Sequence, residues 1–131
     1  MNAEIDALIE AFYAAFDNRA GRVPDGEALR ALFAPEATVT RVADGVAETW
    51  DAEGFVAPRI VLLTGGRLVE FHEWETESRT FATGHIAGRY STYAKEGILD
   101  GADYRGGGRK LIQLRREGDR WLIASLLWED D

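Results

Sequence analysis

Two side chains in this chain are equipped to move a proton, and a third to hold an anion. His72, one of two histidines, sits in the run His72-Glu73-Trp74-Glu75-Thr76. An imidazole titrates near neutrality and serves as a general acid or base. The run opens like the HExxH motif of zinc proteases. The second histidine is absent, however, and the segment reads as strand rather than helix, so that motif fails. Tyr13 can present its hydroxyl as a donor or acid, or pack as a core ring with the hydroxyl satisfied at the surface. Arg41 carries a guanidinium fork that binds a carboxylate in bidentate fashion. Such a group is costly to desolvate unless paired. It therefore meets a glutamate of the site or an anionic ligand group, or else bends out to solvent.

Other clusters carry less. Glu70, Glu73, Glu75 and Glu77 lie along one extended segment, whereas calcium and magnesium sites gather oxygens from turning loops, so no metal is expected. Gly106-Gly107-Gly108-Arg109-Lys110 lacks phosphate-loop spacing and enters a strand, so no helix N-terminus follows it. His85 falls at a hairpin turn and is expected in solvent. With no cysteine, disulfides, thiolate nucleophiles and cysteine-ligated metal sites are excluded. No cofactor is expected.

The elements that must position these groups follow from periodicity. Ile5, Leu8, Ile9, Phe12, Tyr13 and Phe16 recur at helical spacing, which predicts one amphipathic helix over 3–17. Asp25 can cap a second helix that buries Leu29, Leu32 and Phe33 and ends at Pro35. Thr38 to Val42 is rich in β-branched residues and reads as a strand turning at Asp44-Gly45. Asp51 opens a third helix that stops at Gly65-Gly66, with Pro58 either kinking it or marking its true start. Strands are predicted over about 67–81, 85–96, 107–117 and 120–129, with Gly97 to Gly108 as a longer connection. In the first of these strands His72, Trp74 and Thr76 share one face, and Phe71, Glu73, Glu75 and Glu77 the other. The expected arrangement leaves the glutamate ladder solvated and aims His72 and Trp74 inward. The reverse would bring Glu73 or Glu75 to Arg41. In the last strand Leu122, Ala124, Leu126 and Trp128 alternate with Trp121, Ile123, Ser125 and Leu127. Both faces are apolar, as in a strand covered on both sides.

The 131 residues fit one domain over 1–131 with a substantial core, since 46% are apolar. A net charge of −8 repels phosphate backbones and anionic lipid, so neither nucleic acid nor a membrane is an expected partner. The N-terminal segment is acidic and amphipathic, without the basic start and apolar run of a signal peptide, and no stretch approaches the length of a membrane helix. A cytoplasmic location is expected.

Helices followed by antiparallel strands make an α+β order. The helix segment Tyr13-Ala14-Ala15-Phe16, the stretch Leu29 to Val39 and the closing Trp121 to Trp128 together resemble the nuclear transport factor 2-like superfamily. This is the cystatin-like α+β cone of the SnoaL-like polyketide cyclases and ketosteroid isomerase. The resemblance covers nearly the whole chain. It implies three N-terminal helices packed on a curved, mainly antiparallel sheet, an apolar cavity between the layers and a homodimer formed through the sheet. Family members include isomerases, cyclases, dehydratases and non-catalytic modules, so fold alone does not give function.

Carried over residue by residue, the resemblance places Tyr13 at the family's helix tyrosine. The base of ketosteroid isomerase falls at Arg41, which cannot accept a proton, and its second oxyanion donor falls near Ile112, an apolar residue. Loss of one such donor typically costs ~10²–10³ in rate. Steroid isomerisation by the usual route is therefore rejected. The resemblance also turns Arg41 toward the cavity and sets Trp128 at its wide end, with Trp50 and Phe55 on the rim. The expected function is binding of a small organic ligand in an aromatic-lined pocket, by Arg41, Trp50, Phe55, Trp74, Tyr90, Ile112 and Trp128. The alternatives are a SnoaL-like enzyme using Tyr13 and His72, and a non-catalytic dimeric scaffold.

Overall fold

A computed structural model describes residues 2–131. Helix α1 (Ala3–Ala14) buries Ile5, Ile9, Phe12 and Tyr13 on the face that the spacing predicts. A single 3-10 turn follows at Arg19–Gly21. Helix α2 (Gly26–Arg30) is capped by Asp25, whose carboxylate accepts from the backbone N–H groups of Glu27 and Ala28 at 3.0 and 3.2 Å. Strand β1 (Phe33–Ala43) and strand β2 (Val46–Asp51) form a hairpin over Asp44-Gly45, both with positive φ. Helix α3 (Ala52–Thr64) is capped by Asp51, which accepts from Gly54 N at 2.7 Å. Strands β3 (Leu68–Thr83), β4 (Ile86–Leu99), β5 (Ala102–Glu117) and β6 (Arg120–Asp130) complete the chain. The six strands make one mixed sheet in the order β2-β1-β6-β5-β4-β3, with β1 and β6 the parallel pair. The core joins Phe12, Leu29 and Val56 of the helices to Val39, Ile112, Ile123 and Leu126 of the sheet. No helix among the described residues is long and apolar enough to cross a membrane.

Four local expectations change. Helix α2 stops at Arg30, and Pro35 lies inside β1. Pairing with β6 is irregular between Phe33 and Thr38, so the missing proline N–H costs no ladder bond there. Pro58 sits within a continuous α3, removing only the bond to Gly54 O. Strand β2 was hidden because its residues are mostly exposed and show no apolar alternation.

The fourth change bears most on function. The stretch Gly97 to Gly108 is not a long connection but the end of β4, a tight Asp100-Gly101 turn and the start of β5. Glycines 106–108 are strand residues because neighbours occupy the space their side chains would need. A Cβ at Gly106 would meet Lys95 Cε at 3.1 Å. One at Gly107 would meet the Tyr93 carbonyl oxygen at 2.5 Å, and one at Gly108 would meet Asp130 Cα and Tyr93 Oη at 2.9 Å. The bare stretch of β5 lets Tyr93 and Lys95 fold down over it.

Strand β3 also reverses the expected facing. Glu70 has a φ of 50° and the register with β4 slips between Val69 and His72, the signature of a bulge. Asn18 holds that bulge in place. Its amide nitrogen donates to Leu63 O and Leu68 O at 2.8 and 2.7 Å, its amide oxygen accepts from Phe71 N at 2.7 Å, and its own N–H reaches Phe71 O. Phe71 is thereby buried and Glu73 turned to the interior, while Trp74 is 37% exposed. The favoured assignment of His72 and Trp74 to the interior face is corrected, because burying Phe71 outweighs solvating the glutamate at 73.

Two stability predictions follow from these contacts. Asn18→Ala strands three backbone groups at once and is expected to cost about 2–4 kcal/mol in urea unfolding. Gly108→Ala presses on backbone that cannot yield and is expected to cost about 1–3 kcal/mol, whereas Gly106→Ala meets only a flexible lysine end and should cost less than about 1 kcal/mol. Equal losses for the two glycine variants would contradict the packing described.

Candidate functional site

Between α3 and the sheet lies a cavity of about 310 Å³. That is room for roughly ten water molecules at ~30 Å³ each. Phe16, Phe55, Leu62, Leu63, Leu68, Phe71, Leu126 and Trp128 form its apolar walls. Arg41 from β1, Arg59 from α3, Lys95 from β4 and Lys110 from β5 also line it. So do the carboxylates of Glu73 from β3 and Asp130 from β6, and the rings of Tyr93 and Tyr104. Four cations thus share the space with two carboxylates, in a chain whose overall charge is −8.

The register explains the convergence. Ser91, Lys110 and Trp128 stand in one cross-strand row, and Tyr93, Gly108 and Asp130 in the next. Lys95 pairs with Gly106 beyond them. Side chains two residues apart on a strand face the same way, so these rows stack along one wall.

Asp130 is the most heavily shared acceptor. It receives the Tyr93 hydroxyl, with Lys95 Nζ at 3.4 Å on the same oxygen and Arg41 Nη2 at 3.4 Å on the other. Burial works to raise its pKa, but the Tyr93 bond and the Lys95 charge win and hold the carboxyl below the usual range. The Tyr93 hydroxyl is pushed well up, first by burial and then by Asp130, so it stays protonated.

The remaining two cations lack such partners. The Arg59 guanidinium lies 4.2 Å from the Phe55 ring centre and 5.1 Å from that of Trp128. It donates to Phe55 O at 3.2 Å, and no carboxylate reaches it within ion-pair distance among the described residues. The Lys110 ammonium sits 4.0 Å from the Tyr93 ring centre and 5.2 Å from that of Tyr13, likewise without an ion-pair partner among the described residues. Burial lowers the pKa of both groups. Cation–π contacts of this kind offset part of the lost hydration.

Of the residues singled out in the sequence, Arg41, Phe55 and Trp128 border this cavity, and Trp50 stacks on Trp128 at a centroid distance of 6.0 Å. Arg41 is both half-exposed and turned toward Asp130, so it stands at the mouth. Tyr13 and His72 do not border it; they line a second depression between α1 and β3. There the Tyr13 hydroxyl donates to Ser91 Oγ at 2.8 Å, and Ser91 passes its own proton to Glu75 Oε2 at 2.6 Å. Glu75 is held in turn by Arg89. Burial raises the Tyr13 pKa, so its proton is firmly held. His72 stacks on Trp74 at 4.4 Å and faces Glu96 at 3.2 Å. Trp74 lines the same second depression, Tyr90 stands exposed on the opposite sheet face, and Ile112 is part of the packed core.

Arg59, Lys95, Lys110 and Asp130 were not anticipated, and Glu73 entered only as the alternative facing of its strand. One sequence signal pointed to two of them. Of the 15 basic residues, only Lys95 and Lys110 are lysine. No group of acidic and histidine side chains among the described residues is arranged to hold a metal ion.

No protein-family model matches the sequence, and no curated protein matches it. Solved structures do. A nuclear transport factor 2-like protein of unknown function from Pseudomonas putida is 18% identical and superposes with a TM-score of 0.75, over 98% of this chain and 84% of that one. A cystatin-like-fold protein of unknown function from Nostoc punctiforme is 16% identical, with a TM-score of 0.74 over 99% and 90% of the two chains. A hexachlorocyclohexane dehydrochlorinase is 15% identical, with a TM-score of 0.75 over 99% and 84%. At these identities the likeness concerns the fold: the chain adopts the nuclear transport factor 2-like, cystatin-like α+β architecture.

Proposed function

We propose that this protein binds a small organic acid, its carboxylate held among the cations of the cavity and its apolar body against Phe55, Trp128 and the leucines. The observation that carries this reading is the charge imbalance of the hollow, four cations to two carboxylates. Asp130 already serves Arg41, Lys95 and Tyr93, which leaves Glu73 as the one further carboxylate of the cavity to face both Arg59 and Lys110, neither of them in an ion pair among the described residues. An entering carboxylate supplies the missing negative charge, and guanidinium binds it through two parallel bonds. The cavity volume lies at the lower end of the range for small-molecule sites, which sets the ligand at about the size of a benzoate or an indole acid. The fold is expected to bend its sheet around this space as a cone. Among proteins of this fold one is named for a dehydrochlorinase reaction and others are described as of unknown function, so the fold by itself does not separate catalysis from binding.

A second copy of the chain is the expected macromolecular partner. Tyr90, Leu111 and Leu127 stand side by side across β4, β5 and β6 on the sheet face away from the cavity, and all are exposed. Apolar surface in one contiguous row favours burial against a like surface.

The reading predicts that benzoate and indole-3-acetate raise the thermal unfolding temperature, while benzamide and indole-3-acetamide do not. Arg59→Met, which keeps the packing volume but loses the fork, should weaken benzoate binding by about 10–100-fold in calorimetric titration, the loss of one charged hydrogen-bonding group. Equal shifts from acids and amides would overturn the proposal. For the dimer, sedimentation should show two copies for the wild type and one for Leu111→Glu.

A further inference from the structure

We propose that Lys110 is an amine nucleophile, and that the organic acid of this site also bears a carbonyl group with which Lys110 forms an imine. The inference rests on the anion-binding reading and deepens it by naming the second functional group of the ligand.

The first observation is where this chain uses lysine. Every cation outside the cavity is arginine, and the only two lysines both line the cavity. The two side chains differ in one property that matters here. Arginine stays protonated in proteins, whereas a buried lysine can release its proton and expose a lone pair. Charge alone would have been served by arginine, as at Arg41 and Arg59.

The second observation is how Lys110 is held. It is 5% exposed, and its Nζ lies over the Tyr93 ring without a carboxylate in ion-pair range among the described residues. Lys95, by contrast, is paired with Asp130. Charges face Lys110 from several elements. Arg59 on α3 and Lys95 on β4 disfavour its protonated form, while Glu73 on β3 and Asp130 on β6 favour it. Burial is the largest influence, and it acts with the two cations to draw the ammonium pKa down. Desolvation next to another cation is the established way of making a lysine nucleophilic at neutral pH. Tyr93 and Tyr13, whose rings flank Nζ, keep their own protons and do not compete for the substrate carbon.

The reaction balances without any further reagent. The neutral Nζ adds to the carbonyl carbon, forming a C–N bond, and its surplus proton passes to the former carbonyl oxygen to give a carbinolamine. A second proton, taken up from bulk solvent, lets that oxygen leave as water. The nitrogen lone pair then closes a C=N bond, which carries one positive charge. Overall, amine, carbonyl compound and one proton give protonated imine and water. Arg59 would hold the carboxylate during the addition.

The test is reductive trapping of the unmodified 131-residue chain at pH 7 with phenylpyruvate and sodium cyanoborohydride, followed by peptide mass mapping. The expected result is one reduced adduct on Lys110, at least about tenfold above Lys95 and the α-amino group. Benzoate should suppress it, and the methyl ester of the same oxo acid should label more slowly. Lys110→Arg should lose the adduct. If benzoate stabilises the protein but Lys110 is labelled no faster than the α-amino group, the imine is overturned while anion binding stands. If Lys110 is labelled equally by acid and ester, the assignment of an oxo acid is overturned. If neither a benzoate shift nor an adduct is seen, both readings fail.

Discussion

Positive charge gathered around one cavity with fewer carboxylates than cations is the constraint around which this molecule is organised. Arg41, Arg59, Lys95 and Lys110 would separate if they were free to move, since like charges repel more strongly where water is scarce. They are held together by the sheet ladder and by α3, whose own stability comes from the apolar contacts beneath them. The cavity is thus left with a deficit of negative charge. A ligand of opposite sign would relieve that deficit, and for this reason the imbalance reads as a binding feature.

Three details of backbone geometry allow the arrangement. The glycines at 106–108 leave part of β5 without side chains, so Tyr93 and Lys95 can lie across it. The bulge at Glu70 rotates the start of β3 so that Phe71 seals one end of the hollow and Glu73 enters it. Asn18 joins that bulge to the last turn of α3 through Leu63 and to the start of β3 through Leu68, so helix and strand ends that shape the cavity share a single side chain. A polar residue buried with each of its bonds made specifies geometry in a way an apolar residue cannot.

Local patterns in the sequence carried the start of each helix and the α+β class, but not where the first two helices end. The spacing of Ile5, Ile9, Phe12 and Tyr13, and the caps at Asp25 and Asp51, depend on residues within one or two turns of each other. Arg41, Phe55 and Trp128 were also legible, because the architecture directs those positions inward. What escaped depends on distant partners. Glycines 106–108 look like a loop until Tyr93 and Lys95 are seen above them. The facing of Glu73 depends on a bulge pinned by a residue 55 positions earlier in the chain, which period-two alternation cannot register. Tyr13 was visible as a buried tyrosine, yet its tie to Ser91 crosses 78 residues. Lys110 reads as an ordinary strand lysine in its own neighbourhood, and only the scarcity of lysine in the whole chain marks it out.

The confinement of lysine to the cavity also shapes how this molecule meets other chemistry. Its outer surface is dressed in guanidinium and carboxylate groups and presents no freely exposed lysine amine, Lys95 being largely covered and Lys110 almost wholly so. Acyl donors, sugars and isopeptide-forming machinery that modify proteins through surface lysines would find little to attack. Such an exterior offers lysine-directed electrophiles few targets, and leaves the lysine amines to whatever is small enough to enter.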